Sequence, residues 1–170
     1  MIGFKEIPVS GASDAIDLIG KEWMLITADD EEKGKVNAMT ASWGCLGVLW
    51  NKNVCVCFIR PQRYTYGLVE KSEKISIAFM GSEKEYRTAL AVCGRESGRD
   101  CDKLEKCGLH TELLDGVPAI SEARVVLVCR KIYVDDLKES GFIDKSLLSH
   151  YDEDFHRVYV CEIEKAYKKV

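Results

Sequence analysis

Short β-type segments separated by turn residues run through the sequence, and they limit its possible folds more than any other feature. The segments predicted as strands are residues 23–27, 36–42, 54–59, 75–79, 123–133 and 157–167. Short helical patterns lie between them, at residues 63–71, 83–92 and 100–107. Because strands and helices do not alternate regularly, we predict a mainly β fold with short helices, an antiparallel β-barrel.

Turn and cap residues place the boundaries of several of these elements. The polar run at residues 29–35 predicts a hairpin between the first two strands. Arg60-Pro61 ends the third strand, because proline cannot donate to a ladder of backbone hydrogen bonds. Asp100 is the predicted cap of the last helix, which should end at Gly108.

Length and charge narrow the class of protein. The 170 residues contain no repeat or linker and only three prolines, so we predict a single domain over residues 1–170. A formal net charge of −4 gives no field that would attract nucleic acid or an anionic membrane. The first residues do not resemble a secretory signal, and no apolar run could span a bilayer. We therefore expect a soluble cytoplasmic protein.

The sequence contains eight cysteines, but none of their spacings is C-x-x-C. In a reducing compartment they are expected to be free thiols. Cys55 and Cys57 alternate with apolar residues and share one face of a predicted strand. They could be buried core residues or a pair of metal ligands, and we predict core residues because no further ligands for a metal can be named nearby.

No Rossmann or P-loop glycine motif is present, so a phosphate group would need another binding site. One candidate is the segment from Gly94 to Asp100, which also contains Ser97 and Gly98. Its glycines would let backbone N–H groups approach a ligand, and a predicted helix that contains Lys103 begins at its end. The same composition also fits a solvated turn. The segment alone does not decide between these interpretations.

A second polar cluster lies where the third strand meets a predicted helix. It contains Arg60, Arg63 and Thr65, which could give charge-assisted and hydroxyl hydrogen bonds to a phosphate. The arginines could instead pair with surface carboxylates.

In residues 37–43, small and polar side chains replace the β-branched or aromatic ones expected on a strand. This strand could give a planar heteroaromatic ligand access to its backbone, or it could pack closely on a neighbouring strand.

Four segments in this order resemble the flavin reductase-like FMN-binding family, and within it the flavoredoxin type. They are residues 37–43, 58–65, 93–103 and 156–164. The resemblance implies an FMN-binding split β-barrel that forms a homodimer, with one FMN per subunit near the dimer interface. Residues 50–53 depart from the family pattern, because many relatives carry prolines there.

The resemblance also implies roles for individual residues. Those bordering the isoalloxazine ring would be Asn37, Met39, Thr40, Ala41 and Ser42. Those holding phosphate and ribityl oxygens would be Arg60, Pro61, Arg63 and Thr65. Those closing the other side of the phosphate pocket would be Ser97, Gly98, Arg99 and Lys103.

The three histidines provide few candidates for catalysis. His150 and His156 flank an acidic run, but their spacing matches no standard metal motif, so a solvated loop is the simpler interpretation. The resemblance places His156 on the substrate side of the flavin, where an imidazole that titrates near neutral pH could bind substrate or adjust flavin protonation. No nucleophile with a matching base is visible.

Three functions remain open. The first is an NAD(P)H-dependent reductase that passes electrons through bound FMN to free flavin or ferric iron. The second is a flavoredoxin-type electron carrier that is reduced by a partner protein. The third is a flavin-binding module without turnover. In all three the cofactor would carry the chemistry and the protein would supply binding and orientation.

Overall fold

The computed structural model describes residues 14–81 and 83–169, and most of this part is β-sheet. Seven strands form one antiparallel sheet in the order β2-β1-β5-β8-β9-β4-β3, and β6 and β7 form a separate hairpin. The strands are β1 Met24–Asp30, β2 Lys35–Ala41, β3 Gly44–Leu49, β4 Lys52–Ile59, β5 Lys74–Phe79, β6 Thr111–Leu114, β7 Val117–Ile120, β8 Val125–Asp136 and β9 Arg157–Lys168.

The sheet curls because its two longest strands are bent. β8 and β9 pair along their whole length, and their register shifts between Val128 and Cys129 and again between Lys131 and Tyr133. The curl brings β2 against β4, although the two strands are far apart in the strand order. The barrel remains open on this side, since β2 pairs only with β1 among the described residues. The predicted mainly β barrel with short helices is confirmed.

Short helices pack around the sheet. The α-helices are α1 Asp14–Asp17, which continues into a π-helical turn Leu18–Glu22, α2 Tyr64–Lys71, α3 Lys84–Arg95 and α4 Lys103–Lys106. Two 3-10 helices, Glu139–Gly141 and Lys145–His150, lie between β8 and β9 in the sequence. α3 lies on β2, and α2 lies against β1. None of the helices in residues 14–81 and 83–169 is long and apolar enough to cross a membrane.

The predicted boundaries of two helices were wrong. α3 extends to Arg95, so Gly94 belongs to its last turn and not to a loop. α4 is a single turn, and its cap is Asp102, whose side chain accepts a hydrogen bond from the backbone N–H of Glu105. The predicted cap, Asp100, instead lies in a turn in which its own N–H donates to the Ser97 carbonyl. Lys103 is therefore the first residue of the helix, which is too short to supply a helix dipole.

Several elements were missed by sequence analysis, among them the helical segment before β1, the strand β3 and the β6–β7 hairpin. β3 is an exposed edge strand without regular apolar alternation, and it joins β4 through Trp50 and Asn51, which have φ angles of 51° and 58°. These residues form the tight turn where the sequence departs from the family pattern. The β6–β7 hairpin turns at Asp115-Gly116, a dipeptide that predicts such a turn and was overlooked.

Two apolar cores lie on opposite faces of the sheet. β1 is buried on both faces, so Ile26 packs inside the barrel while Leu25 packs outside it against α3, α4 and the β6–β7 hairpin. This double burial explains why β1 shows a continuous apolar run in the sequence. The second core fixes α3 and the loop after it over the outer face of β2.

All eight cysteines are free thiols, and five of them are buried. Cys55, Cys57, Cys129 and Cys161 belong to the core inside the barrel. Burial raises the pKa of the Cys55 and Cys129 thiols far above its usual range. The prediction that Cys55 and Cys57 are core residues is confirmed, and no group of three metal-ligating side chains comes together in the described ranges.

Candidate functional site

A cavity of about 190 Å³ lies in the opening of the barrel between β2 and β4. Its walls are Met39, Thr40, Ala41, Ser42, Trp43, Phe58, Arg60, Arg63 and His156. The end of β2 forms one side, and the ends of β4 and β9 form the other. The structure thus brings together residues from three of the four segments singled out in the sequence. We call this cavity the ring pocket.

β2 offers the ring pocket a free backbone edge. Its pairing partner among the described residues is β1 alone, so the N–H and C=O groups of its other edge face the opening of the barrel. Met39 and Ala41 turn their side chains into the barrel core, while the Thr40 hydroxyl donates to the Leu90 carbonyl of α3 at 2.6 Å. The small side chains therefore anchor the strand and leave its edge accessible.

A second cavity of about 140 Å³ adjoins the ring pocket, and Arg63 lines both. We call it the phosphate pocket. Its walls are Gln62, Arg63, Tyr64, Thr65, Arg95, Glu96, Ser97, Gly98, Arg99 and Lys103. Residues from both polar clusters recognised in the sequence therefore line one pocket, although more than thirty residues separate Thr65 from Ser97.

Two cations converge in the phosphate pocket. Lys103 is only 3% exposed, and its Nζ donates to the Cys93 carbonyl at 3.3 Å, while the Arg63 guanidinium donates to the same carbonyl at 3.4 Å. Burial lowers the pKa of both groups, and the charge of Arg60 lowers that of Arg63 further. In the described part of the chain, neither cation forms an ion pair with a carboxylate. Such a pair of uncompensated charges fits a bound anion.

Neutral donors complete the phosphate pocket. Asn37 donates through Nδ2 to the Thr65 hydroxyl oxygen at 2.7 Å, which leaves the hydroxyl hydrogen free to donate to a ligand. The Ser97 hydroxyl accepts from the Arg99 N–H at 3.1 Å and so orders the loop. Gly98 lies directly over Asn37, because a Cβ there would be 2.2 Å from Asn37 Oδ1. The donor set suits a phosphate monoester.

Three predicted ligand residues do not line the pocket assigned to them. Asn37, predicted to border the ring, lines neither the ring pocket nor the phosphate pocket, and Arg60 and Pro61 do not line the phosphate pocket. The Arg60 guanidinium is paired with Asp154 and also donates to the His150 carbonyl at 2.7 Å. The Asp152 N–H, followed by Gln62 and Arg60, holds the pKa of Asp154 down at about 2. Arg60 thus follows the ion-pair alternative, although it still lines the ring pocket. Pro61 lines a neighbouring groove and neither of the two pockets.

His156 is enclosed by aromatic side chains at the mouth of the ring pocket. It is 8% exposed, its ring lies 5.2 Å from that of Trp43, and its Nδ1 is 3.2 Å from the Tyr151 hydroxyl oxygen. Burial, followed by the charge of Arg60, lowers the pKa of His156 to about 4. The expectation of an imidazole titrating near neutral pH was therefore wrong. His156 is neutral at physiological pH and can stack or hydrogen-bond.

Acid should destabilise the fold through His156. Its folded pKa of about 4 lies below the usual value of 6.5, so the unfolded chain binds more protons between these values. The stabilisation is complete above pH 6.5 and is lost as the pH falls towards 4. Unfolding free energies between about pH 4 and pH 8 should decline less steeply for His156→Gln, which cannot be protonated there. Parallel curves for the two proteins would contradict the buried neutral histidine.

Sequence analysis missed several residues that shape the site. Trp43 was part of a recognised segment but was assigned no role, and its half-exposed ring forms the rim of the ring pocket. Tyr64 stands between Arg63 and Thr65 and was passed over as a helix residue. Its hydroxyl donates to the buried Asp30, and its ring lies beside Gly98. The contact joins residues 34 positions apart, which no local pattern reveals.

The chain belongs to the flavin reductase-like family, since the family model described as "Flavin reductase like domain" matches residues 17–168. Among curated protein sequences, none matches the chain significantly. Its fold is the split β-barrel shared by a group of solved flavoprotein structures.

Three of these structures illustrate the likeness. The FMN-binding protein of Thermus thermophilus with bound p-hydroxybenzaldehyde is 20% identical, with 86% of this chain and 71% of that chain covered and a TM-score of 0.65. Flavoredoxin from Methanosarcina acetivorans is 22% identical, covering 87% and 68%, with a TM-score of 0.65. The NADH:FAD oxidoreductase SgcE6 of Streptomyces globisporus C-1027 is 13% identical, covering 87% and 75%, with a TM-score of 0.63.

Proposed function

We propose that the protein binds FMN across the ring and phosphate pockets and works as an NAD(P)H-dependent oxidoreductase that reduces free flavin or ferric iron. The observation that carries this proposal is a pair of cations, the partly buried Arg63 and the buried Lys103, which lie next to the open edge of β2 and have no carboxylate partner in the described part of the chain. One pocket suits a dianionic phosphate and the other a flat ring with a polar edge. Because Arg63 lines both pockets, one ligand could place its phosphate in the first and its ring in the second.

The residues of the chain would bind and orient the cofactor. Arg63 and Lys103 would donate to phosphate oxygens, the Thr65 hydroxyl would donate to a ribityl or phosphate oxygen, and the β2 backbone would meet the polar edge of the ring. FMN, when bound, supplies the electron-transfer chemistry itself. Neutral His156 and the half-exposed Trp43 would form the apolar rim on which a nicotinamide ring could stack.

Anaerobic rapid mixing tests the enzymatic proposal. The full-length protein is loaded with FMN and mixed with NADH or with NADPH while flavin absorbance is followed. We expect one of the two nucleotides to bleach the flavin at least as fast as the steady-state turnover with added free flavin. Slow bleaching by both nucleotides would overturn the reductase proposal. A protein that purifies colourless and takes up no FMN would overturn flavin binding as well.

A second candidate function is a flavoredoxin-type electron carrier. The observation that favours it is Trp43, which is 44% exposed at the rim of the ring pocket and could contact a partner protein close to the flavin. The similarity to a protein named flavoredoxin supports it in the same way. Rapid reduction by a reduced iron–sulfur protein, together with slow reduction by both nicotinamide nucleotides, would favour the carrier over the reductase.

We also propose that two copies of the chain associate through the β3 edge, in line with the homodimer implied by the family resemblance. β3 ends the sheet, and the exposed apolar side chains on and beside it are Val48, Leu49, Trp50 and Tyr133, whose ring lies 6.0 Å from that of Trp50. A second copy would cover this apolar edge.

Introducing a charge on this edge should separate the two copies. Wild-type protein is expected to sediment as a dimer, and Val48→Lys should sediment as a monomer because a buried, unpaired ammonium is costly. Leu113→Lys is the matched control, because Leu113 on β6 is 70% exposed and Val48 is 71% exposed. Dissociation of both variants, or of neither, would contradict the proposed interface.

Finally, we propose a cytoplasmic location. All eight cysteines are free thiols, and none of them is held in a disulfide. Such usage is typical of proteins in a reducing compartment, where structural disulfides are rare. Fluorescent tagging of the protein in its own cells would test this location.

A further inference from the structure

Three cavities meet at the loop formed by residues 97–99. They are the phosphate pocket of about 140 Å³, a cavity of about 420 Å³ beside the β1–β2 turn, and a groove of about 690 Å³ along α2. Arg99 lines all three, and Tyr64 lines both the phosphate pocket and the groove. These two side chains, together with Arg63, which also lines both cavities, therefore form the partition between the phosphate pocket and the groove.

The ring of Tyr64 is held on several sides. Its hydroxyl donates to Asp30, which is 3% exposed, and this hydrogen bond, together with burial, raises the pKa of Tyr64 to about 12. The Lys33 Nζ lies 4.8 Å from the ring centroid, and the Arg99 guanidinium carbon lies 5.2 Å from it. Lys33 also donates to the Gly98 carbonyl at 2.8 Å, so the same cation links the ring to the loop. The partition is fixed in place.

Carboxylates outnumber cations along the groove beyond the partition. The carboxylates lining it are Asp29, Asp30, Glu31, Glu32, Glu73 and Asp115, and the cations are Arg63, Lys71, Lys74 and Arg99. A flavin dinucleotide carries a diphosphate, so its chain would have to leave the phosphate pocket and continue into neighbouring space. The route into the groove would pass Tyr64 and then face these carboxylates. A flavin mononucleotide ends at its phosphate and needs no such exit.

We propose that Tyr64 determines ligand specificity by closing the phosphate pocket towards the groove, so that the site accepts a terminal phosphate monoester and excludes a flavin dinucleotide. This inference rests on the proposed function, because it concerns the same flavin site. The competing explanation is that Tyr64 only anchors the loop at residues 97–99. If Tyr64 were only an anchor, its loss would weaken the binding of FMN and of FAD by the same factor. If Tyr64 is a partition, its loss changes the ratio of the two affinities.

Titrations of the flavin-free full-length protein with FMN, FAD and riboflavin test the proposal. Wild-type protein is expected to bind FMN about tenfold or more tightly than FAD. Tyr64→Ala should reduce this preference about tenfold, with riboflavin affinity unchanged within about twofold. Tyr64→Phe keeps the ring and should keep the preference. Lys71→Ala is the control, because Lys71 is exposed and lines the groove but not the phosphate pocket.

The outcomes separate failure of this inference from failure of the proposed function. A proportional loss of FMN and FAD affinity in Tyr64→Ala, or a wild-type protein that prefers FAD, would overturn the role of Tyr64. If Tyr64→Ala does not fold, Tyr64→Leu, which keeps apolar volume but lacks the flat ring, is judged by the same ratio. A wild-type protein that binds none of the three flavins would instead overturn the flavin site itself.

Discussion

Replacing Arg63 or Lys103 with alanine is expected to weaken FMN binding about 10- to 100-fold and to leave riboflavin binding almost unchanged. A hydrogen bond to a charged group contributes about 1.5–3 kcal/mol, which corresponds to this range of affinity. Both cations point into the phosphate pocket and have no carboxylate partner among the described residues. Riboflavin lacks the phosphate, so it cannot gain from them. Fluorescence titration with both flavins measures the difference.

Arg95→Ala is the matched control for these variants. Arg95 lines the same pocket, but it is exposed and its Nε donates to the Ala91 carbonyl of its own helix at 3.4 Å. Its removal should change FMN affinity less than about threefold, as expected for a solvated charge. If Arg63→Ala and Lys103→Ala weakened riboflavin as much as FMN, the two cations would not contact the phosphate.

Gly98→Ala is expected to destabilise the fold by about 1–3 kcal/mol and to weaken FMN binding as well. The added Cβ would lie 2.2 Å from Asn37 Oδ1 and 2.8 Å from Tyr64 Cδ1. Neither neighbour can move easily, because Asn37 donates to Thr65 and Tyr64 donates to the buried Asp30. For a domain of this size the loss corresponds to a fall in Tm of about 2–12 °C.

A second glycine provides the opposite expectation. Gly67 lies inside α2, and a Cβ there would meet nothing within 4 Å. Gly67→Ala should therefore stabilise the protein by about 0.5–1 kcal/mol, since alanine is the better helix former. Thermal unfolding of both variants measures these two opposite changes in stability. A Gly98→Ala protein as stable as wild type would show that the loop does not pack on β2 as described.

The strands that sequence analysis predicted are those whose patterns are set locally. The β1–β2 hairpin and β4 were recognised because turn residues and Arg60-Pro61 mark their limits. β3 was missed because its exposure comes from its place at the end of the sheet, which only the complete strand order determines. α4 was predicted too long because the turn at Ser97 takes up the residues before it.

The same division between local and distant contacts applies to the site. Sequence analysis grouped Arg60 and Arg63 as equivalent phosphate ligands, but Asp154, which lies 94 residues further along the chain, pairs with Arg60 alone. The low pKa of His156 also depends on distant aromatic residues that bury it. Residue types and their order indicated a phosphate-binding pocket. Whether a residue faces a ligand or pairs with another side chain depends on partners that only the tertiary fold brings close to it.

The free edge of β2 gives the bound ligand a part in holding the protein together. An unpaired strand edge can recruit other chains, and natural proteins usually cover it. Here the flavin would occupy the position of a neighbouring strand, because the barrel is open between β2 and β4. Ligand supply would then set both thermal stability and resistance to aggregation, since a ligand that binds only the folded chain raises the unfolding free energy. The bound cofactor would therefore stabilise the barrel as well as carry its chemistry.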